Sequence, residues 1–586
     1  MTGRFVFASP RTAGRDCLGN VTERLAALNL MTLHWCSGIL FADPDAIAFV
    51  ECRAPCVVLG TVFRRSDNRQ VVETLPGLGN AVAESGGQHL IDHYWGGYVA
   101  LFANSRSPRG FALRDPSAHV PLYRWSCGDY DLYFNDFALA CRAAGIVPPI
   151  DWPAIAHRLR FPQLRIEATG LCGIEEIMPG CRVSFEDGAR RLLWSPWTFA
   201  SRPFDNAVPS DVLATELETV LDQCATTWRD IYGSVQLELS GGLDSSILAA
   251  CLAGRESTLH CVTYATESEE GDERRYSRAV CDFLGLPLSE HVVRSSLLDP
   301  TARLDVPRPR PGGFVALAGL DRLLGDTAVA AGAEAIVSGA GGDNVFCGIT
   351  TVGPVIDALR LAGVGEAWRA ARNVADLCDT TIGDVARHIW RLARRGKAHP
   401  LWPPTDETLS ETALVPCIGH PWLEAPPDAL PGKRAHIAGL MRILPYLDGY
   451  DRGQRVPIVA PLMAQPVLEF CLRVPSFRWI EAGRNRSLAR LAFAHRLPSI
   501  VIDRRTKGGL RTLFMPAYER HREELKDLLC DGRLADAGLI DRNAMRTYLA
   551  APLSPARPDY LRAFEIADVE LWVRDIERLA SGSGAI

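Results

Sequence analysis

Asp244 lies in Ser240-Gly241-Gly242-Leu243-Asp244-Ser245-Ser246, a polar turn between an alternating run and an apolar one. Two glycines let a backbone come close to a ligand, and the N–H groups that open a following helix attract an anion. Ser240, Ser245 and Ser246 add hydroxyl donors, and a carboxylate beside a phosphate is best tolerated through a metal ion. Gly-Gly and Ser are also common in ordinary turns. The full spelling at the end of a strand favours a phosphate-binding loop over such a turn. No GK[ST] ending follows, which argues against transfer of a γ-phosphate by a Walker-type loop.

A second glycine-rich turn, Ser338-Gly339-Ala340-Gly341-Gly342-Asp343-Asn344, follows Ala335-Ile336-Val337. Alone it reads as a core turn. Paired with the first, it lets Asp244 and Asp343 hold a hard divalent cation against pyrophosphate oxygens from adjacent strand ends.

Strands and helices must carry these turns. Val235, Leu237 and Leu239 alternate with Gln236 and Glu238, the period of a strand with one buried face, and Ile247 to Leu252 continue as a helix. Residues 259–264 and 291–293 read as further strands, with a helix over 276–284 between them. Strands alternating with helices predict a doubly wound parallel sheet with its ligand at the carboxyl ends. A helix over 211–229 presents Leu213, Leu217, Val220, Leu221 and Cys224 on one stripe, with Ser210 as its N-cap. Before residue 200 the chain is β-rich: 39–41, 56–60 and 94–102 read as strands, and 182–194 as a hairpin turning at Asp187-Gly188 in type I′ geometry.

Later segments carry less signal. Residues 307–313, Pro-Arg-Pro-Arg-Pro-Gly-Gly, form a rigid cationic loop that is either a linker or substrate-facing. Residues 387–399 read as a basic solvated helix face, 401–431 as an irregular proline-rich loop, and 436 onward as an apolar helix. Asp448 and Asp451 are expected at the surface, and Glu469 is expected to cap or pair within a helix.

At 586 residues the chain exceeds a single core. Hydrophobic content of 47% with 23% charged residues is that of a globular protein, and a net charge of −6 argues against general nucleic-acid binding. The 17 cysteines are dispersed without a CxxC pair, as expected of reduced core thiols. No apolar run is long enough to span a bilayer and no signal-peptide pattern opens the chain, so a cytoplasmic location without membrane insertion is expected.

SGGLDSS resembles the PP-loop of ATP pyrophosphatases, which holds the pyrophosphate released when ATP is cut to AMP. WGGYVALF, RDPSAHVPLYRW, GIEEIMPG and a hairpin ending in Trp194 together resemble the glutaminase domain of asparagine synthetases. Those enzymes use a cysteine at position 2; Thr2 stands here and Cys17 is the first cysteine. The resemblance implies an α/β two-domain chain: residues 1–205 an Ntn-hydrolase-like β-rich sandwich lacking the N-terminal Cys nucleophile, and residues 206–586 a doubly wound PP-loop ATP pyrophosphatase domain with helical additions. It also implies ATP and Mg2+, with Asp244 and Asp343 on the metal. Nucleotide contacts are then expected from Leu239, Ser240, Gly241, Gly242, Asp244, Ser245, Ser246, Tyr264, Ser338 and Gly339.

Within LPS…RRTKGG, Lys507 matches the lysine that reaches the reacting carbonyl in that superfamily, with Arg505 beside it. Ala340, Asn344 and Ala464 depart from asparagine synthetases, where acidic residues stand at these positions. GGDNVFC and PLMAQPVLE followed by CLRVPSFRW resemble lasso-peptide cyclases, the macrolactam synthetases of the superfamily. This resemblance implies a ligase that adenylates a side-chain carboxylate of a precursor peptide and joins it to the peptide's N-terminal amine. A leader peptidase and a leader-recognition protein are the partners it implies. The alternatives are ammonia-dependent asparagine synthesis or a small-molecule amidotransferase, and a non-catalytic peptide-binding scaffold.

Overall fold

A computed structural model describes residues 3–11, 18–35, 37–51, 56–71, 77–103, 110–254, 258–268, 271–303, 307–312, 315–395, 402–505, 511–552 and 560–582. In chain order the early strands are β1 Phe5–Pro10, β2 Met31–Trp35, β3 Gly38–Ala42, β4 Ile47–Glu51, β5 Cys56–Arg64 and β6 Tyr94–Ala103. They continue with β7 Gly110–Arg114, β8 Tyr123–Cys127, β9 Tyr130–Phe134, β10 Ile174–Glu176, β11 Cys181–Ser184 and β12 Arg190–Leu192. Two six-stranded sheets result, ordered β10-β8-β9-β1-β3-β2 and β12-β11-β7-β6-β5-β4. Strand alternation sends Phe5, Phe7 and Leu40 from the first sheet against Val57, Leu59, Val99 and Leu101 of the second. The two sheets form the expected sandwich, and the opposite face of each is covered by helices. Leu139, Ala140 and Ala143 of the helix Phe137–Ala144 join Val6 and Phe134 over the first sheet.

The hairpin at β11–β12 forms, but its turn differs from the expected type. Type I′ geometry needs both central residues left-handed. Only Gly188 is (φ 69°), and the Asp187 carboxylate instead accepts the Ala189 N–H at 3.0 Å.

The helix Ser210–Arg229 buries Leu213, Leu217, Leu221 and Cys224, and its Trp228 meets Phe63 of β5 edge-on at 5.0 Å. Its N-cap is Pro209, with Ser210 already inside the helix, so Ser210 gives no capping bond. One continuous core runs from β5 and β6 through this helix into a third sheet. That sheet comprises β13 Ser234–Glu238, β14 Thr258–Thr266, β15 Leu288–Val293, β16 Ala335–Val337 and β17 Ile458–Val459. It is parallel throughout in the order β15-β14-β13-β16-β17, the predicted doubly wound arrangement. Valine and leucine at 235 and 237 are fully buried, because helices cover both faces of a parallel sheet. The central pair β13 and β16 places the two glycine turns side by side.

Among the described residues no disulfide forms, and most cysteines are buried. No described helix is long and apolar enough to cross a membrane.

Candidate active site

The first loop is fixed from behind. Leu239 donates its N–H to Val262 O at 2.8 Å and accepts Ser277 Oγ at 2.9 Å. Gly241 has φ 67°, and a Cβ there would lie 2.5 Å from Tyr276 Cβ and 2.7 Å from the Ser277 nitrogen. Only glycine fits. Ser240 Oγ and Ser245 Oγ lie 3.2 Å apart, and Ser246 Oγ donates to Gly242 O at 2.8 Å. The helix Leu243–Leu252 starts behind Gly242, so its first N–H groups point toward the mouth of the loop.

The second loop packs against the first, backbone to backbone. A Cβ on Gly339 would come 3.1 Å from the Ser245 nitrogen, and one on Gly342 would come 2.4 Å from Asp244 Cγ. Ser338 is held by donating its N–H to Val459 O at 2.9 Å. Asp244 and Asp343 therefore converge: Arg486 Nη1 lies 3.0 Å from Asp244 Oδ1 and 2.5 Å from Asp343 Oδ1. Two carboxylates that meet on one nitrogen are spaced to share one cation, and Asp343 remains half exposed (48%) to receive it. These donors and the glycine-lined cradle fit a divalent metal with a polyphosphate.

Arg486 has no local sequence signal for this role; it sits in left-handed conformation (φ 55°) at the start of the helix Ser487–Phe493. Arg504 is also an unanticipated neighbour. It donates to Gly241 O at 3.2 Å, pairs with Glu273 and lies 3.7 Å over the Tyr276 ring. Arg505 is exposed. Lys507, Thr2 and Cys17 lie outside the described residues. Tyr264 stands two residues before the end of β14, where its ring stacks on His291 at 5.5 Å; it makes no hydrogen bond to either glycine loop among the described residues. Asn344 Nδ2 donates to Gly439 O at 2.7 Å, a structural bond.

Ser338 and Ala340 open onto a cavity of about 260 Å³, shared with His119, Glu238, Tyr450 and Arg452. Arg452 pairs with Glu238 at 3.0 Å and with buried Asp321, and sits 4.3 Å over the Tyr450 ring. His119 enters from the sandwich. Its Nε2 accepts the Ala460 N–H at 3.1 Å, which leaves the proton on Nδ1, facing Ser117 Oγ at 2.7 Å. Ser117 Oγ in turn reaches Gly96 O at 2.8 Å and the Asp115 carboxylate. Burial pulls His119 down to about 4, so the ring is neutral near pH 7.

A buried ion cluster extends from the same wall. Glu176 is fully buried and takes Arg310 at 2.6 Å, Arg114 at 2.7 Å and Arg165 at 2.8 Å. Burial opposes its ionisation, but Arg165, Arg310 and Arg114 together hold the carboxyl at about 2. Arg165 continues to Asp448 at 2.6 Å, and Arg308 pairs with Asp451 at 2.6 Å. Asp448 and Asp451 are thus not free surface carboxylates, and residues 307–312 are anchored rather than a solvated linker. Glu469 likewise pairs beyond its own helix, with Arg65 at 2.8 Å and Trp194 Nε1 at 3.0 Å, besides Gln465 at 2.8 Å within it. Apart from Gln465, these partners of Asp448, Asp451 and Glu469 lie 143 to 404 residues away, out of reach of local pattern.

The family model for asparagine synthase matches residues 231–574, from just before β13 into the helix Tyr560–Ala580. No curated protein matches the chain. The chain belongs to the asparagine synthase family, whose members are ATP-dependent, amide-forming ligases that generally require Mg2+.

Proposed function

We propose that this member of the asparagine synthase family closes a macrolactam in a precursor peptide, joining a side-chain carboxylate to the N-terminal amine and releasing AMP and pyrophosphate. The supporting observation is the space beside the two loops. The cavity at Ser338 and Ala340 shares Tyr446 and Tyr450 with a chamber of about 460 Å³, a size suited to several residues of a peptide. Ala340, small and unable to take a proton, leaves this wall open.

ATP supplies the adenylyl group, and Mg2+ the counter-charge for its phosphates. The opening N–H groups of the helix Leu243–Leu252, with Ser240, Ser245 and Ser246, hold the departing pyrophosphate; Asp244 and Asp343 hold the metal. A peptide carboxylate oxygen bonds to the α-phosphorus as its bond to the pyrophosphate oxygen breaks. The amine then bonds to the activated carbonyl carbon, the carbon–oxygen bond to AMP breaks, and the amine gives up a proton. Lys507, flanked by Arg505, stabilises the charge that develops on the α-phosphate and on the carbonyl oxygen. Holding amine and carboxyl together supplies orientation.

On this reading residues 206–586 form the synthetase domain. Residues 1–205 form an Ntn-type domain that braces it without hydrolysing glutamine. A leader peptidase, guided by a leader-recognition protein, frees the amine beforehand in the cytoplasm.

The test is AMP release from ATP and Mg2+ with a leaderless peptide carrying a free amine and internal Asp and Glu, against aspartate plus ammonia. Peptide-dependent AMP with loss of one water from the peptide is expected. AMP only with aspartate and ammonia overturns the peptide reading in favour of asparagine synthesis.

A further inference from the structure

The chamber of about 460 Å³ is walled by the helix Trp152–Arg160, the loop 307–312, the segment around Tyr446 and Tyr450, and the helix Tyr560–Ala580. Most charges on its wall are already matched: Arg165 and Arg310 by Glu176, Arg308 by Asp451. Arg158 and Asp568 are not. Arg158 makes no hydrogen bond or ion pair among the described residues, although it lines the chamber. Asp568 accepts the Val315 N–H at 2.8 Å through Oδ1, while Oδ2 has no hydrogen-bond partner among the described residues. The two groups feel each other's charge yet stand too far apart for an ion pair. Phe514, Phe564 and Tyr446 supply apolar surface between and around them.

A cavity with one unmatched cation, two carboxylates without ion pairs (Asp568 and Asp136) and an aromatic lining is complementary to a ligand carrying both charges on an apolar frame. The volume exceeds the needs of one small amino acid.

We propose that this chamber binds the free amino end of an acidic peptide, Asp568 taking the α-ammonium and Arg158 a carboxylate of the same peptide. The inference rests on the peptide-ligase reading and locates where that substrate is first gripped; the amine must leave Asp568, deprotonated, to reach the activated carbonyl.

The test uses the full chain without ATP. Random-sequence hexapeptides with free amino ends are incubated with the protein alongside acetylated copies, and a third pool carries Asn and Gln in place of Asp and Glu. Peptides co-eluting on gel filtration are counted by mass spectrometry. The wild-type chain is expected to retain free-amine, acidic peptides about tenfold over either control pool. Asp568→Asn should lose the preference for a free amine and keep that for acid; Arg158→Gln should do the reverse, and Arg158→Lys should restore the preference for acid. Equal retention of all three pools by the wild type overturns the proposal, as does displacement of the peptides by free aspartate at equal concentration. The wild-type comparison decides even where a variant fails to fold. Peptide-dependent AMP formation without charge preference would sink the chamber and leave the ligase reading standing; preference without AMP formation would do the opposite.

Discussion

Two glycine pairs invite comparison, Gly96-Gly97 within a sandwich strand and Gly241-Gly242 in the loop after a parallel strand. At Gly96, Gly97 and Gly241 a side chain would collide. A Cβ on Gly96 would sit 2.3 Å from Thr61 O, and one on Gly97 would sit 2.7 Å from His119 Cβ. Around the first pair three polar side chains are spent internally: Ser117 on Gly96 O and Asp115, His119 on Ser117 and Ala460, Arg114 on Glu176. Around the second, Ser240 is exposed and Asp343 half exposed even though Ser245 and Arg486 engage them. The same residue types make a brace in one place and a receptive site in the other. What separates them is how far the polar side chains are exposed to solvent.

The largest effect should follow from disabling the receptive side. Asp343→Asn is expected to cut AMP formation by about 100-fold or more while leaving the melting temperature near wild type. Unchanged turnover would remove Asp343 from the site. Next is the brace. Glu176→Gln leaves three guanidiniums without their shared counter-charge and should cost about 3–5 kcal/mol in urea unfolding. An unaltered midpoint would show that the cluster does not hold the sandwich to the site.

Acid and base should then separate two buried groups. His119 is lowered from 6.5 to about 4, so its neutral ring contributes stability that is complete above pH 6.5 and lost as pH falls toward 4, at most about 3 kcal/mol. Asp568 is raised from 3.8 to about 7, with Arg158, Glu565 and Arg308 facing it. Its neutral form contributes stability complete below pH 3.8 and lost as pH rises through 7, again a few kcal/mol at most. Urea midpoints at pH 5, 6.5 and 8 for His119→Phe and Asp568→Asn, each subtracted from wild type, should slope in opposite directions. Subtraction removes the common contribution of Asp115, which burial raises to about 6 beside His119. Parallel slopes would refute the assignment. The smallest effect expected is none: glutamine should yield no ammonia, and Thr2→Ala should change nothing.

Much of the receptive side was legible in the chain. Alternation at 235–239, apolar runs at 259–264 and 335–337, and turns spelled with Gly, Ser and Asp are local patterns, and local patterns survive without partners. Convergence of Asp244 with Asp343 followed from parallel strands placing their ends together. Arg486 and Arg504 were not legible, because an arginine's role depends on which carboxylate or carbonyl lies across space. Asp448 and Asp451 were misjudged for the same reason: a carboxylate with its partner 283 or 143 residues away looks like surface. Glu469 does pair within its helix, but its partner 404 residues away was out of reach. Ser210 and Asp187-Gly188 failed differently. In each, a neighbouring backbone conformation or side-chain bond outweighed residue preference.

The helix Tyr560–Ala580 closes one wall of the chamber. Trp572 donates to Arg308 O at 2.9 Å, Asp568 accepts from Val315, and Arg562 reaches Leu159 O, 403 residues earlier. A ribosome adding about 5–20 residues per second needs roughly 20–80 s to bridge that separation. During that interval the aromatic and cationic walls made earlier stand without their cover, so the nascent chain is most vulnerable to aggregation after the sandwich has emerged and before its final helix arrives. Chaperone dependence during translation, rather than stability once folded, should therefore limit the yield of active protein.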